Sequence, residues 1–169
     1  MKDREIKYLV IHTSASWQTW TAEALHSYFI NYLDWSRPGY HVVIESSGRV
    51  KRLLPNNVNS NGVKPFKYGK EIDINNSNSV NICWIGGIVE GNMKNTILPK
   101  DNRTEAQKDK LAEIVLWYVS TYPDIQILGH NQIANKACPC FSVPQWLQKI
   151  GIPFKNVFEG RYFGKLVNY

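Results

Sequence analysis

The alternation of apolar and polar residues along the chain predicts a set of short strands. Residues 6–12 form a β-rich and almost continuous apolar run that ends in His12, as expected for a buried strand. Further stretches with strand character are residues 40–45, 50–54, 80–89 and 125–128. A Gly86-Gly87 pair interrupts one of them. At this pair we expect a bulge or the close approach of another backbone segment.

Two longer segments have the period of amphipathic helices, and a third helix is short. The first long helix begins after Thr21, a typical N-cap, and the second begins with a capping-box pattern at Thr104 and Gln107. Apolar residues at helical spacing are Leu25, Phe29 and Leu33 in the first and Leu111, Val115 and Val119 in the second. Pro144 opens the short helix. This mixture predicts an α/β fold, with a single central mixed β-sheet flanked by helices.

Two polar stretches separate these elements, and no linker divides the chain. Residues 55–78 are rich in Asn, Gly, Pro and Lys, and residues 90–103 form a second polar loop. A loop as long as the first is usually functional or partly mobile when it lies inside a compact domain. We therefore expect one domain over residues 1–150 and a C-terminal extension, residues 151–169, that packs on it.

Composition narrows the classes of partner. The net charge of +6 suits a polyanionic partner such as nucleic acid, a membrane surface or an anionic cell wall. The basic residues are scattered, and the sequence has no RNA-binding motif, so we expect no nucleic-acid partner. No apolar window approaches the roughly 18 residues of a membrane span, so we expect no stable membrane insertion. The N-terminal residues do not have the pattern of a signal peptide, which predicts cytoplasmic synthesis.

Two histidines and one cysteine are the candidate chemical centre. His12 ends the first strand, His130 follows the last strand, and Cys138 comes eight residues later. Two imidazoles and one thiolate are a known zinc ligand set, which leaves a fourth position for water as hydrolytic zinc sites require. Each residue alone also has a structural interpretation, because a lone cysteine often serves as a small buried hydrophobe. We interpret Cys83 in this way. For His12, His130 and Cys138, spacing alone leaves both the metal-binding and the structural interpretation open.

Four segments together carry a family resemblance. Three of them are residues 10–15 (VIHTSA), 39–44 (GYHVVI) and 79–87 (SVNICWIGG). The fourth and most specific is residues 129–139 (GHNQIANKACP). In this order they resemble the zinc-dependent N-acetylmuramoyl-L-alanine amidases, which include bacteriophage lysozyme-amidases and peptidoglycan recognition proteins. The resemblance covers residues 6 to about 150 and implies the fold of that family.

The resemblance also implies a cofactor and roles for five residues. It implies a Zn²⁺ ion held by His12, His130 and Cys138. It further implies catalytic roles for Tyr40 and Lys136. These roles are physically reasonable, because a tyrosine hydroxyl or a lysine ammonium beside zinc can stabilise the oxyanion that forms during amide hydrolysis.

Two positions depart from the family pattern. Relatives often carry a histidine in the loop after the third strand, where this chain has Asn61. We name Asn61 as a candidate substrate-binding residue. Cys140 follows Pro139, where relatives often have a small residue. It is either a spare thiol or a competing metal ligand.

The function implied by the resemblance is that of an endolysin-like zinc hydrolase. Its substrate would be the amide bond between N-acetylmuramic acid and the L-alanine of the stem peptide in bacterial peptidoglycan. The alternative is a non-catalytic module that binds peptidoglycan or muropeptide fragments, since some family members lose the metal-binding cysteine and only bind. The presence of Cys138 favours catalysis. We expect a monomer that acts on the cell wall, with phage-mediated release as one route to it.

Overall fold

The computed structural model describes residues 4–89 and 98–158. In chain order its strands are β1 (Tyr8–Thr13), β2 (Val42–Ile44), β3 (Val50–Arg52), β4 (Phe66–Tyr68), β5 (Ile72–Ile74), β6 (Ser79–Trp84) and β7 (Gln126–Gly129). Its α-helices are α1 (Ala22–Ser27), α2 (Glu105–Thr121) and α3 (Val143–Lys149). A π-helical turn, Tyr28–Tyr32, continues α1, and 3-10 turns occur at His130–Gln132 and Phe154–Asn156.

The central sheet is mixed and has the strand order β3–β2–β6–β1–β7 within the described residues. β6 runs parallel to both β1 and β2, and β7 runs parallel to β1. β3 pairs antiparallel with β2 at one edge. Because neighbouring parallel strands end at the same edge, the carboxyl ends of β1, β6 and β7 lie close together, where ligands of α/β sheets are commonly bound.

One face of the sheet is apolar and packs against α2 and α3. Leu9 and Ile11 of β1 and Ile82 of β6 are fully buried on this face. Their apolar partners on the two helices are Leu111, Val115, Tyr118, Val143 and Leu147. Successive strand residues point to opposite faces, so every second residue of the two central strands contributes to this core.

α2 begins as predicted but buries a slightly different stripe. Thr104 Oγ1 accepts a hydrogen bond from Gln107 N at 3.1 Å, and Gln107 Oε1 accepts one from Thr104 N at 3.0 Å. This reciprocal pair confirms the capping box. Tyr118, rather than the predicted Val119, is fully buried in the last turns. Its hydroxyl donates to Asn56 Oδ1 at 2.7 Å, so a residue with a polar end can take the core position.

The opposite face of the sheet carries α1 and its π-helical continuation. Thr21 Oγ1 accepts from Ala24 N at 3.1 Å, which confirms the predicted N-cap. Leu25 and Phe29 are buried against Val43 of β2. With helices on both faces, the structure confirms the predicted α/β fold with a single central mixed sheet.

The Gly86-Gly87 pair brings two backbone segments together, as predicted. Gly86 and Gly87 have φ values of 138° and 96°. A Cβ atom on Gly87 would overlap the hydroxyl of Thr13 at the end of β1. The hydroxyl of Thr13 donates to the carbonyl of Gly86 at 2.7 Å. This contact fixes the end of β1, where the candidate ligands lie.

Residues 55–78 contain more regular structure than the predicted loop. β4 and β5 pair antiparallel as a separate two-stranded sheet, with Phe66 opposite Ile74. Each strand has only three residues, and Lys67 and Asp73 on them are exposed, so the apolar alternation is too short to stand out in the sequence. Ile74 is fully buried and anchors the hairpin to the domain.

The first part of the C-terminal extension contacts β7. Phe158 N donates to Ile127 O at 3.0 Å, and Asn156 Nδ2 donates to Pro123 O and Ile125 O, both at 2.9 Å. Residues 159–169 of the extension and residues 90–97 of the second polar loop lie outside the described residues. The domain division at residue 150 stays a prediction. Among the described residues, no helix is both long and apolar enough to cross a bilayer.

Candidate metal centre

Three side chains from distant parts of the chain meet at the carboxyl edge of the sheet. His12 lies near the end of β1, and His130 directly follows β7, the strand paired with β1. Their Nδ1 atoms are 3.1 Å apart. Cys138 Sγ lies 3.8 Å from His12 Nδ1, and the ligand atoms of all three residues lie within 4.8 Å of one another. The structure thus brings together the three residues predicted as zinc ligands.

The two cysteines that follow β7, Cys138 and Cys140, lie in different surroundings. Thr13 N donates to Cys138 Sγ at 3.2 Å, which holds this thiol beside the end of β1. Cys140 instead lies in the apolar core with 2% of its surface exposed, and its thiol donates to Gly87 O at 3.5 Å. None of the three cysteines, all within the described residues, forms a disulfide, and Cys140 does not join the cluster.

Two of the three separations between donor atoms are close to those around a tetrahedral zinc ion. Zinc bonds of roughly 2.0 Å to nitrogen and 2.3 Å to sulfur place two nitrogens about 3.3 Å apart and a nitrogen and a sulfur about 3.5 Å apart. The observed separations are 3.1 Å between His12 Nδ1 and His130 Nδ1 and 3.8 Å between His12 Nδ1 and Cys138 Sγ. Two nitrogens and one sulfur in this arrangement leave one tetrahedral position for a fourth ligand.

Burial sets the protonation states of the cluster. It lowers the pKa of His12 well below its ordinary value, and the neighbouring His130 acts in the same direction. Burial, together with the positive charge of Lys136, lowers the pKa of His130 to about 4. Burial raises the pKa of the Cys138 thiol to about 12. Both imidazoles are therefore neutral near pH 7 and can offer lone pairs, whereas the thiol must release a proton when a cation binds.

Tyr40 lies beside the cluster with its hydroxyl protonated. Its ring is 5.0 Å from the ring of His12 and meets the ring of Phe29 edge-on at 5.4 Å. Burial, with the nearby thiols of Cys83 and Cys138, raises the pKa of Tyr40 well above its ordinary value. A tyrosine in this state can donate a hydrogen bond across the pH range in which the protein would work.

The cluster opens into a cleft of about 550 Å³. Among its lining residues are Tyr40, His130, Lys136 and Cys138, so both predicted catalytic residues and two of the three predicted ligands line one cavity. Lys136 is exposed and lowers the pKa of both cluster histidines through its charge. The cleft also contains a second exposed lysine, Lys64. The cavity therefore has a positively charged rim beside the three donor atoms.

Aromatic rings form one wall of the cleft. Trp35 stacks on Phe29 with the ring centroids 5.2 Å apart, and both residues line the cavity. Phe29 contacts Tyr40, which contacts His12. An unbroken series of ring contacts thus leads from the half-exposed Trp35 to the buried cluster. Flat apolar surfaces of this kind suit a ligand that contains sugar rings.

Asn61 lines the same cleft, on the loop after β3. Its Nδ2 donates to Arg37 O at 3.2 Å, and its backbone N donates to Pro38 O at 3.0 Å. These bonds attach the loop to the segment before Tyr40. Its role as a substrate-binding residue stays a prediction.

Asn81 is a buried polar residue of the site that the sequence analysis did not single out. Its Oδ1 lies 2.8 Å from His12 Nε2, and it is fully buried in β6. An asparagine inside an apolar strand carries no signature of its own. Only the pairing of β1 with β6 shows that Asn81 reaches His12.

Comparison with known proteins places these features in a family. The family model described as N-acetylmuramoyl-L-alanine amidase matches residues 2–141. The endolysin of Enterobacteria phage K11 is 31% identical over 115 residues, which cover 68% of this chain. The aligned segment spans 66% of that endolysin, just under two thirds of its length.

Solved structures share the fold. The Ph2119 endolysin from a bacteriophage of Thermus scotoductus MAT2119 superposes with a TM-score of 0.67 at 24% identity, covering 89% of this chain and 88% of that one. Bumblebee PGRP-SA superposes with a TM-score of 0.64 at 17% identity, covering 92% of this chain and 85% of that one. The extent of the family match, together with the shared fold, shows that the chain belongs to the N-acetylmuramoyl-L-alanine amidase family.

Proposed function

We propose that this protein hydrolyses the amide bond between N-acetylmuramic acid and L-alanine in bacterial peptidoglycan, as a zinc-dependent, endolysin-like enzyme. The observation that carries the proposal is the convergence of His12, His130 and Cys138 at one end of an open cleft. Membership of the amidase family supplies the bond to be cleaved. The phage endolysin relatives support action on the cell wall.

The three donors suit a zinc ion and disfavour harder cations. Neutral imidazole and thiolate are preferred by zinc, whereas Mg²⁺ and Ca²⁺ prefer oxygen ligands. Bound at these atoms, zinc would supply a Lewis acid that polarises the scissile carbonyl and lowers the pKa of water.

Tyr40 and Lys136 complete the proposed chemistry. Tyr40 keeps its proton because its pKa is raised, so its hydroxyl can donate a hydrogen bond to an oxygen that gains negative charge. Lys136 lies on the exposed side of the cleft and contributes a positive charge to the same region. Both groups would stabilise the developing oxyanion more than the neutral carbonyl of the ground state.

The cleft suits a substrate that combines sugar and peptide. The stacked rings of Phe29 and Trp35 offer a flat wall for the glycan part. The polar side, with Asn61 and Lys64, offers hydrogen bonds and charge to the peptide part. We therefore propose peptidoglycan and its muropeptide fragments as partners, bound by a monomer.

The proposal is tested by digestion of purified sacculi with zinc-loaded protein, followed by mass spectrometry of the products. We expect release of stem peptides with a free L-alanine amino terminus. Cys138→Ala should lose turnover, while Cys140→Ala, which removes a thiol outside the cluster, should retain it. Intact muramoyl-peptide bonds after digestion with folded, zinc-loaded wild type would overturn the proposal.

The same variants test the non-catalytic alternative. If the protein is a binding module, wild type and Cys138→Ala should co-sediment with sacculi equally well, and neither should release peptide. The presence of Cys138 within the cluster favours hydrolysis over this alternative.

A further inference from the structure

A line of buried polar groups extends from the candidate metal cluster into the loop after β3. His12 Nε2 and Asn81 Oδ1 are 2.8 Å apart, and Asn81 Nδ2 donates to Ser60 Oγ at 2.9 Å. His12 is 1% exposed, and Asn81 and Ser60 are fully buried. All three are therefore removed from water and depend on one another for hydrogen bonds.

The fold holds Asn81 in place from several sides. His41 Nδ1 accepts a hydrogen bond from Asn81 N at 3.0 Å, and His41 N donates to Asn81 O at 2.8 Å. The loop passes directly over the amide at Gly62, where a Cβ atom would lie 2.5 Å from Asn81 Cγ. Glycine is required at this position because a side chain would displace the amide of Asn81.

The amide oxygen determines which nitrogen of His12 carries the proton. An oxygen accepts but cannot donate, so Asn81 Oδ1 requires a hydrogen on His12 Nε2. The neutral ring then has its lone pair on Nδ1, the atom that faces His130 and Cys138. With the amide reversed, its NH₂ group would require the lone pair on Nε2, and the proton would move to Nδ1 inside the cluster. In the first orientation, Ser60 Oγ at the other end of the amide accepts from Nδ2.

We propose that Asn81 is a positioning residue that holds His12 as the Nε2–H tautomer and thereby presents Nδ1 to the metal. Ser60 and Gly62 are the loop residues that hold the Asn81 amide beside His12. The inference rests on the proposed zinc site. For the loop after β3 the sequence predicted only a substrate contact, at Asn61. The inference gives two neighbouring residues of this loop, Ser60 and Gly62, a supporting role at the metal cluster.

The experiment measures zinc affinity and the tautomer of His12 separately. Zinc affinity is measured by competition with a chromophoric chelator, and the tautomer by ¹⁵N NMR of the imidazole in metal-free protein. Asn81→Leu removes the acceptor at similar volume and should weaken zinc binding by about 10–100-fold, the usual effect of losing such a partner. The NMR spectrum should change from the single Nε2–H form to a mixture. Asn81→Asp restores an acceptor oxygen and should bring the tautomer back and recover most of the affinity.

Two further variants keep the test decisive. Asn156→Ala is the matched control, because Asn156 is also fully buried and donates two hydrogen bonds to backbone, but far from the histidines. It should lower stability and leave zinc affinity unchanged. If Asn81→Leu does not fold, Asn81→Ser shortens the side chain out of reach of Nε2 and takes its place. A folded variant with wild-type affinity and an unchanged tautomer would overturn the inference. The tautomer is read without metal or substrate, so this outcome is distinct from failure of the hydrolytic proposal.

Discussion

The two faces of the central sheet are equally buried at β1 but differ in chemistry there. Ile11 and His12 are consecutive residues of β1, with exposed fractions of 0% and 1%. Ile11 packs among the apolar residues under α2 and α3. His12 contacts His130, Asn81 and Tyr40 on the other face. The alternation of side chains along a strand lets one segment supply both core and candidate ligands.

The two faces depend on different kinds of stabilising contact. The apolar face requires complementary shape, which the long helix α2 and the short helix α3 provide. Each buried polar group on the other face requires its own partner, because an unsatisfied group costs about 1–3 kcal/mol. Loops provide these partners: Val58 O accepts from His41 Nε2, and Ser60 accepts from Asn81. Stability and metal binding should therefore respond to different substitutions.

The largest expected effect is on the apolar face. Ile82→Ala removes a fully buried side chain beneath the helices and should lower the free energy of unfolding by about 2–5 kcal/mol. Zinc affinity of the folded molecules should stay within about twofold, because the Ile82 side chain points to the face opposite the cluster. Urea denaturation and a zinc titration measure the two quantities. A loss of zinc affinity as large in free energy as the loss of stability would show that the two faces are coupled.

The next largest effect belongs to the cleft. Lys136→Met should lower turnover about 100–1000-fold, as expected for the loss of one group that stabilises an oxyanion. Because Lys136 is exposed, the free energy of unfolding should change by less than about 0.5 kcal/mol. Lys149→Met, at an exposed lysine of α3, is the matched control and should leave both unchanged. Turnover of Lys136→Met close to wild type would remove this residue from the mechanism.

Acid should destabilise the metal-free protein through its buried polar face. Burial, together with the charges of Arg4 and Arg52, lowers the pKa of His41 from 6.5 to about 4. Between these values the unfolded chain binds more protons than the folded chain. The stability due to neutral His41 is thus complete above pH 6.5 and is lost as the pH falls towards 4. A shift of this size corresponds to about 3 kcal/mol.

His41→Gln isolates that contribution. Urea denaturation from pH 4 to 7, with chelator present, should show a shallower pH dependence for this variant than for wild type. His130, whose pKa is lowered in the same direction, remains in both proteins and accounts for part of the residual slope. Identical slopes would mean that His41 is not a source of the acid sensitivity.

The smallest effect is at the start of α2, on the apolar side. Thr104→Ala removes the N-cap and should cost about 1 kcal/mol of stability. Peptidoglycan cleavage per folded molecule should be unchanged. Thermal denaturation and a sacculus assay measure the two effects. A change in cleavage rate without a change in stability would contradict the assignment of α2 to the supporting face.

Features with a local physical cause could be predicted from the sequence. The helix caps at Thr21 and Thr104 each form with a residue three positions later in the chain. The close contact at Gly86 and Gly87 is possible because glycine has no side chain. The grouping of His12 and His130 was predicted from the family resemblance, and the fold explains it, because His12 lies near the end of β1 and His130 directly follows the parallel strand β7.

Features that depend on tertiary pairing could not be predicted in this way. The polar contact of Asn81 follows from the register of β1 and β6. The hairpin of β4 and β5 rests on three-residue strands held by Ile74. Cys140 looks like a candidate ligand by spacing, but its backbone has a φ of 72° and its thiol enters the core.

The placement of the cluster at the inner end of the cleft has a consequence for metal exchange. His130 and Cys138 line the cavity, and His12 lies behind them. An ion that enters or leaves from this side must cross the space that a bound muropeptide would fill. Protein with a bound muropeptide should therefore exchange its metal more slowly than protein without one. Bound substrate would in this way retain the metal while the cell wall is being hydrolysed.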